Sequence, residues 1–385
     1  MSTSSDQVAT LSGLSAAELR GAGELAARFP LTPNAEPATA ASHAEIMGDL
    51  TFGVAHTDHM VRAAWTPQEG WHGHRTEAYG PLTLSPAAAV LHYGQEIFEG
   101  LKAYRHADGS VWTFRPGFNA ARFAASARRL AMPPLPEEDF VGSLAALVAA
   151  DERWVPDAEG SSLYLRPLMI ATEPFLGVRA AHQMEYLVIA SPVGPYFAHG
   201  FEPVSIWVAQ DYHRVGPGGL GAAKTGGNYA ASLLPQQDAY DKGFEQVCFL
   251  DAATSTQLEE LGGMNVFVVD ADGTVRTPAL TGTILEGGTR SSILQLLRDA
   301  GRTVREETIV LSELLDQIRS GEVAETFACG TAAVITPIGR LAGEGFDVTV
   351  ADGRPGPVTT ELYTALTDIQ LGRRADPHDW MYRIV

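Results

Sequence analysis

Residues 221–232 read GAAKTGGNYAAS: a lysine between small residues, followed by a glycine pair and an aromatic five positions on. The chain has three lysines, Lys102, Lys224 and Lys242, among 27 basic residues. Arginine is therefore its default cation. A lysine kept against that bias is one wanted for its amine, which can lose a proton and attack a carbonyl. Lys242 precedes Gly243 at the expected end of a helix and reads as a solvated C-terminal cation. Lys224 has no such local explanation.

Two chemistries compete for it. From Gly218 the chain nearly spells a phosphate-binding P-loop, with Ala223 in place of the second glycine. A P-loop springs from a strand directly into a helix, whereas here the expected strand ends near Gln210 and two helix-weakening glycines, Gly226 and Gly227, follow the lysine. The alternative is a lysine that bonds to a carbonyl cofactor. Such a site needs room at the backbone, a carboxylate for a ring nitrogen and an anion site for a phosphate. LEELGGMN offers Glu259 and Glu260 before two glycines; a solvated acidic pair before a turn is the bland reading. EGGTRSSIL sets glycines and hydroxyls at a helix start, where free amides bind anions, although a plain cap by Thr289 or Ser291 fits equally well. FACGTAAVI adds another Gly-Thr pair after a strand-like run.

Composition narrows the partners. With 385 residues, 45% hydrophobic and 19% charged, the chain is long enough for two cored domains. Its 27 basic and 46 acidic residues leave a net charge of −19, which disfavours nucleic acid and membrane surfaces as partners. Two cysteines, Cys248 and Cys329, make neither a disulfide framework nor a metal-ligand pattern, and no metal is expected. No apolar run approaches the roughly 18 residues of a membrane span, and no basic-then-apolar leader opens the sequence. The expected location is the cytoplasm.

Alternating strand-like and helical segments without internal repeats predict an α/β (α+β) fold. Residues 1–45, rich in Ala, Ser, Thr and Pro, read as a variable lead-in with one short helix and no assigned function. A small α/β domain is expected over 46–194, a Pro/Gly-rich linker over 195–203, and a larger domain over 204–385. FNAARFAASARRLAM reads as a helix, EYLVIASPVG, VSIWVAQ and EQVCFLDA as strands, and GGMNVFVVDADGTVRTP as two strands joined by an Ala-Asp-Gly turn.

Nine blocks, in this order, carry a family resemblance: FGVAHTDHM, LHYGQEIFEGLKAYR, RPGFNAARF, LYLRPLMIATEP, PVGPYF, KTGGNYA, EELGGMN, GTILEGGTRSSIL and FACGTAAVITPIG. From about Phe52 onward the chain resembles the branched-chain amino acid aminotransferases, which use pyridoxal 5′-phosphate (PLP) in the fold-type IV architecture, with the active site between a smaller N-terminal and a larger C-terminal domain. D-amino acid aminotransferases and aminodeoxychorismate lyases share that fold; the EIFEGLKAYR and RPGFNAARF blocks disfavour them.

The resemblance implies roles position by position. Lys224 matches the lysine that bonds to PLP and shuttles the substrate's α-proton; Tyr229 matches the tyrosine on its phenolic oxygen and Glu260 the carboxylate on its ring nitrogen, leaving Glu259 a bystander. Arg122, Gly288, Thr289 and Thr331 match the phosphate ligands. Phe52, Tyr93, Phe98, Tyr164 and Tyr196 match the aromatic wall around an aliphatic side chain. Thr331 and Ala332 fall where amides receive the α-carboxylate, and Arg166 resembles the arginine that answers glutamate's distal carboxylate. Tyr93 is implied to reach into a partner subunit, so the expected assembly is a homodimer or larger. The implied reaction is ping-pong transamination of leucine, isoleucine or valine with 2-oxoglutarate. Gly263 stands where some animal members carry threonine, and Ala333 and Thr336 replace the Cys-x-x-Cys pair of those members, so no thiol switch is expected.

Overall fold

The computed structural model describes residues 11–196 and 200–385. The chain divides into two compact units. The first holds Ser12–Ala198, Ala223–Gly226 and Thr367–Val385; the second holds Met1–Leu11, His199–Ala222 and Gly227–Leu366.

The first unit is built on an eight-stranded sheet. Its strands are β1 (His59–Thr66), β2 (Gly70–Ala78), β3 (Glu96–Phe98), β4 (Leu101–Arg105), β5 (Val111–Phe114), β6 (Ser162–Ala171), β7 (Met184–Val193) and the C-terminal strand Met381–Arg383. The order is C-terminal strand, β5, β4, β6, β7, β1, β2, with β3 paired to β6. Successive side chains on a strand point to opposite faces. On β6, Leu163 and Leu165 are therefore sealed in the core while Tyr164 and Arg166 stand on the other face. Against the core face pack the helices α1 (Ala22–Ala26), α4 (Pro116–Arg129) and α5 (Glu137–Ala150); α2 (Ala40–Gly48) and α3 (Ala89–Tyr93) precede the latter two in the chain. Pro116 pre-sets the first turn of α4, and Arg128 and Arg129 complement its C-terminal dipole. Phe123, Phe140 and Tyr186 meet with ring centroids 5.4–6.4 Å apart. Sealing each such ring contributes about 1.5–3 kcal/mol.

The second unit carries a nine-stranded sheet: β8 (Val204–Ala209), β9 (Gln246–Leu250), β10 (Leu258–Leu261), β11 (Asn265–Asp270), β12 (Val275–Pro278), β13 (Val304–Glu307), β14 (Val323–Gly330), β15 (Val334–Gly343) and β16 (Phe346–Thr349). The order is β10, β9, β8, β15, β14, β11, β12, β13, with β16 on β15. The C-terminal strand of the first unit is β17. The remaining helices are α6 (Gly226–Asp241), α7 (Gly288–Asp299), α8 (Leu311–Ser320) and α9 (Pro357–Gln370).

Several sequence expectations meet a different outcome. Rather than a loose lead-in, residues 12–45 belong to the first unit: Leu19, Ala22, Leu25 and Phe29, recurring every three to four residues, are buried in its core. The second unit is not the continuous 204–385. It cedes Ala223–Gly226 and the tail from Thr367, because β17 pairs with β5, and the first unit holds more of the chain. Residues 197–199 of the expected linker lie outside the described residues. Gly226 and Gly227 do not break a helix; they open one. Gly226 donates its amide to the Glu96 carboxylate, and a Cβ there would lie 2.4 Å from that carboxylate, so glycine is what lets the cap close. The P-loop pattern still lacks its context, since β8 ends at Ala209, well upstream of Lys224.

Candidate active site

The expected site residues fall into two clusters, one in each unit. In the first unit Lys224 is partly buried and fixed by its own backbone: its amide donates to Ser126 Oγ on α4 (2.9 Å) and its carbonyl accepts from the Phe98 amide (3.1 Å). Its Nζ lies 4.9 Å from the Phe98 ring centroid. The next two residues are held by Glu96, whose backbone carbonyl accepts from Thr225 Oγ1 (2.8 Å) and whose carboxylate caps Gly226. Burial pushes the Glu96 carboxyl above its ordinary range, against the pull of those hydrogen bonds and of the Arg166 charge.

Phe98 also carries Arg166, whose guanidinium carbon is 4.8 Å from the ring centroid and 5.4 Å from that of Tyr164. Arg166 Nη2 donates to the Tyr164 hydroxyl at 3.2 Å, whereas its Nε is buried and meets no acceptor among the described residues. Tyr164 lies against Gly100, where a Cβ would fall 2.0 Å from the hydroxyl. Phe52 meets Tyr164 edge-on at 4.9 Å and Tyr196 at 5.5 Å. Lys224, Phe98, Arg166, Tyr164, Phe52 and Tyr196 thus form one continuous polar-aromatic surface. Directly across the ladder from Tyr164 is Lys102, a residue without an expected role; burial pushes its ammonium down to about 8.

Arg122 is no surface helix residue. It is 4% exposed and its Nε and Nη2 grip the fully buried Glu99 at 2.7 and 2.8 Å, with Asn119 donating to the same carboxylate at 2.7 Å. Tyr93 stands apart from this cluster: it is 40% exposed and its hydroxyl donates to the Leu176 carbonyl.

The second cluster centres on β10. Glu259 and Glu260 are adjacent on a strand and so face opposite ways. Both are buried, at 6% and 3% exposure, which removes the reading of a solvated pair. Glu260 Oε1 sits 2.9 Å from Arg214 Nη1 and accepts the Leu285 amide (3.0 Å), while Oε2 accepts from Asn265 Nδ2 (3.2 Å). Arg214 is itself 5% exposed. Glu259 accepts from Thr283 Oγ1 through Oε1, while its Oε2 meets no donor among the described residues; burial pushes its carboxyl up.

Asn265 ties this carboxylate to the start of α7. Its Nδ2 also donates to the Leu285 carbonyl (3.0 Å), and its Oδ1 occupies the space a Cβ on Gly287 would fill, 2.1 Å away. Gly287 is the N-cap, so Gly288 and Thr289 lie in the first turn of α7, whose amides have no intrahelical acceptor. Tyr229, in the first turns of α6, places its ring edge 3.8 Å from where a Gly263 Cβ would sit. Thr331 and Ala332 form the turn between β14 and β15, and Gly330 packs that turn onto Gly263 and Met264. The turn ends at Val334, a β-branched residue with φ 61°, a strained conformation held by the strands on either side.

Arg214, Glu99, Glu96 and Ser126 escaped the sequence reading. Glu96 and Glu99 both stood inside a quoted block; Arg214 and Ser126 carry no spacing signal. Among the described residues there is no cluster of metal-ligating side chains, and no helix is long and apolar enough to cross a membrane.

A family model for amino-transferase class IV matches residues 96–341. The branched-chain-amino-acid aminotransferase of Mycolicibacterium smegmatis is 53% identical over 360 residues, covering 92% of this chain and 98% of the relative. A probable branched-chain-amino-acid aminotransferase of Streptomyces coelicolor is 53% identical over 355 residues, with 92% and 98% covered. Among solved structures, the Escherichia coli branched-chain amino acid aminotransferase superposes with a TM-score of 0.71 at 27% identity, over 84% of this chain and 99% of that one. The branched-chain aminotransferase of the archaeon Thermoproteus uzoniensis, solved with norvaline, gives 0.69 at 25%, over 84% and 100%. With its two clusters built on fold-type IV sheets, the chain belongs to the class IV aminotransferase family, on its branched-chain amino acid aminotransferase branch.

Proposed function

We propose that the chain moves the amino group of leucine, isoleucine or valine to 2-oxoglutarate in two half-reactions, with PLP as cofactor. The donor set suits that group. Lys224 offers a primary amine on a backbone fixed at both its amide and its carbonyl. The first turn of α7 with Thr289, the Thr331 hydroxyl and Arg122, oriented by Glu99, would hold the phosphate. Tyr229 would donate to the ring oxygen.

The observation that carries the reading is Glu260. A carboxylate 3% exposed, fixed by Arg214, Asn265 and a backbone amide, is a built anion whose use is to keep a ring nitrogen protonated. PLP, when bound, supplies an electron sink that makes the α-proton of an amino acid removable. Lys224 Nζ, as a free amine, would take that proton and release it on the other side of the substrate nitrogen. The aromatic surface of Phe52, Phe98, Tyr164 and Tyr196 excludes water from an aliphatic side chain, the Thr331–Ala332 turn offers amides to the α-carboxylate, and Arg166 meets glutamate's second carboxylate.

Tyr93, with the exposed Leu91, Leu176 and Val178, supports a homodimer in which this surface is covered. The buried free thiols of Cys248 and Cys329 suit a reducing cytoplasm. The test is reconstitution with PLP followed by rates for a panel of amino donors with 2-oxoglutarate. A visible cofactor band and turnover restricted to leucine, isoleucine, valine and glutamate is the expected result; absence of the band, or a preference for D-amino acids, overturns it.

A further inference from the structure

The loop that leads into α7 is held on one side by groups already described: Leu285 by Glu260 and Asn265, and Gly287 by the close approach of Asn265 Oδ1. The residue between them, Glu286, faces elsewhere. It is 7% exposed, and both of its carboxylate oxygens accept the backbone amide of Leu11 at 3.1 Å. Leu11 belongs to the same compact unit as this loop, although 275 residues separate the two partners. A buried carboxylate is costly unless donors meet it, and the Leu11 amide is one that does; the bond fixes Glu286, and with it the backbone of the loop that sets the first turn of α7.

In the first unit the residues that follow are equally committed. Gly13 and Gly117 touch backbone to backbone: a Cβ on Gly13 would lie 1.9 Å from the Gly117 carbonyl oxygen, and one on Gly117 would lie 1.9 Å from that of Leu14. The Leu14 amide donates to Glu137 at 3.2 Å. Gly117 is in the first turn of α4, the helix that carries Arg122. Leu11 thus meets the start of α7 in the second unit, and Gly13 and Leu14 meet the start of α4 in the first.

We propose that Leu11 and Glu286 are positioning residues for the phosphate-binding start of α7, so that the N-terminal segment contributes to cofactor retention. This rests on the PLP reading above. Leu11→Pro removes the amide donor without changing any group that would touch the cofactor. Losing one hydrogen bond to a charged group at this position weakens phosphate binding by about 10-fold. The experiment titrates apoenzyme of the full chain with PLP and, separately, with pyridoxal, which lacks the phosphate, and follows hydrogen exchange of the amides of residues 288–291.

Leu11→Pro is expected to weaken PLP about 10-fold, leave pyridoxal unchanged and speed exchange at 288–291 but not in α8. Glu286→Ala should do the same, and the double variant should be no worse than either single one. Glu286→Gln, which keeps an acceptor oxygen, should retain most of the affinity. Additive losses, equal losses for PLP and pyridoxal, or unchanged PLP affinity overturn the proposal. Wild-type apoenzyme that binds neither compound overturns the cofactor reading itself and takes this inference with it, a result distinct from wild-type binding that Leu11→Pro does not disturb.

Discussion

The two clusters solve opposite electrostatic problems. In the second unit the negative charge of Glu260 is already answered, clamped by an arginine, an amide side chain and a backbone N–H. In the first unit Lys224 and Arg166 both lie on the Phe98 ring, and Arg166 keeps a buried Nε with no acceptor among the described residues. An answered charge is part of the scaffold, and its removal strands a partner. An unanswered donor is reserved for something that comes and goes. The contrast sorts the residues by what their loss should do.

The largest effect is expected at Lys224. Lys224→Ala should lower transamination by at least about 10³-fold, the scale of a lost proton-transfer group, while PLP still binds noncovalently and borohydride no longer fixes it. Normal turnover would place the catalytic amine elsewhere. Next is Glu260→Gln, which leaves Arg214 buried without its counter-charge. Breaking a buried ion pair on one side costs about 3–5 kcal/mol, so both the melting temperature and turnover should fall. Arg214→Met should reproduce the loss; tolerance of either change would show that the clamp is not scaffold.

Arg166→Met should instead spare stability and act on substrate choice. Half-reactions of glutamate and 2-oxoglutarate should weaken by about 10- to 150-fold, the range for one hydrogen bond to a charged group, with leucine changing several-fold at most. Single-turnover absorbance with each donor separately measures this, and parallel losses would return Arg166 to the scaffold.

The smallest effect belongs to Glu259, which the sequence leaves as a bystander. Its folded carboxyl is raised by burial, so the folded state binds the proton more tightly than the unfolded one. The penalty is therefore full above the raised value and disappears as pH falls below the unfolded one of about 4.3. Relative to Glu259→Gln, the wild type should gain stability between pH 7 and pH 4.5, measured as paired denaturant midpoints. A difference that does not change with pH would mean that Glu259 is ionised throughout.

Lys224 stood out in the sequence because lysine is scarce, whereas Glu260 was told from Glu259 only by the family resemblance, carboxylates being common in this chain. Their partners were invisible for a physical reason. Arg214 and Glu260 lie on a loop and a strand far apart in the chain, and arginine is too common here to mark itself. Ser126 and Glu96 matter only through the backbone groups they meet. The fold was legible where periodicity carried it: α4, β7, β8, β9 and the β11–β12 hairpin fall where expected. It failed at Gly226, where intrinsic propensity lost to a carboxylate brought from β3; in the lead-in the one expected short helix is present as α1, but its burial in the core of the first unit was not foreseen.

The division of the chain has a further consequence for how the protein comes into being. The sheet of the first unit is finished by Met381–Arg383, and the Arg115 amide just before α4 donates to the Trp380 carbonyl at 2.7 Å. Those residues follow every other strand of both sheets in the chain. Every strand of the second unit precedes Thr367, so the first unit, although its sheet begins near the N-terminus, keeps an open edge on β5 until the whole of the second has been made. Translation order and completion order are thus reversed. During that interval the unpaired edge of β5 is the surface most in need of shielding from other nascent chains.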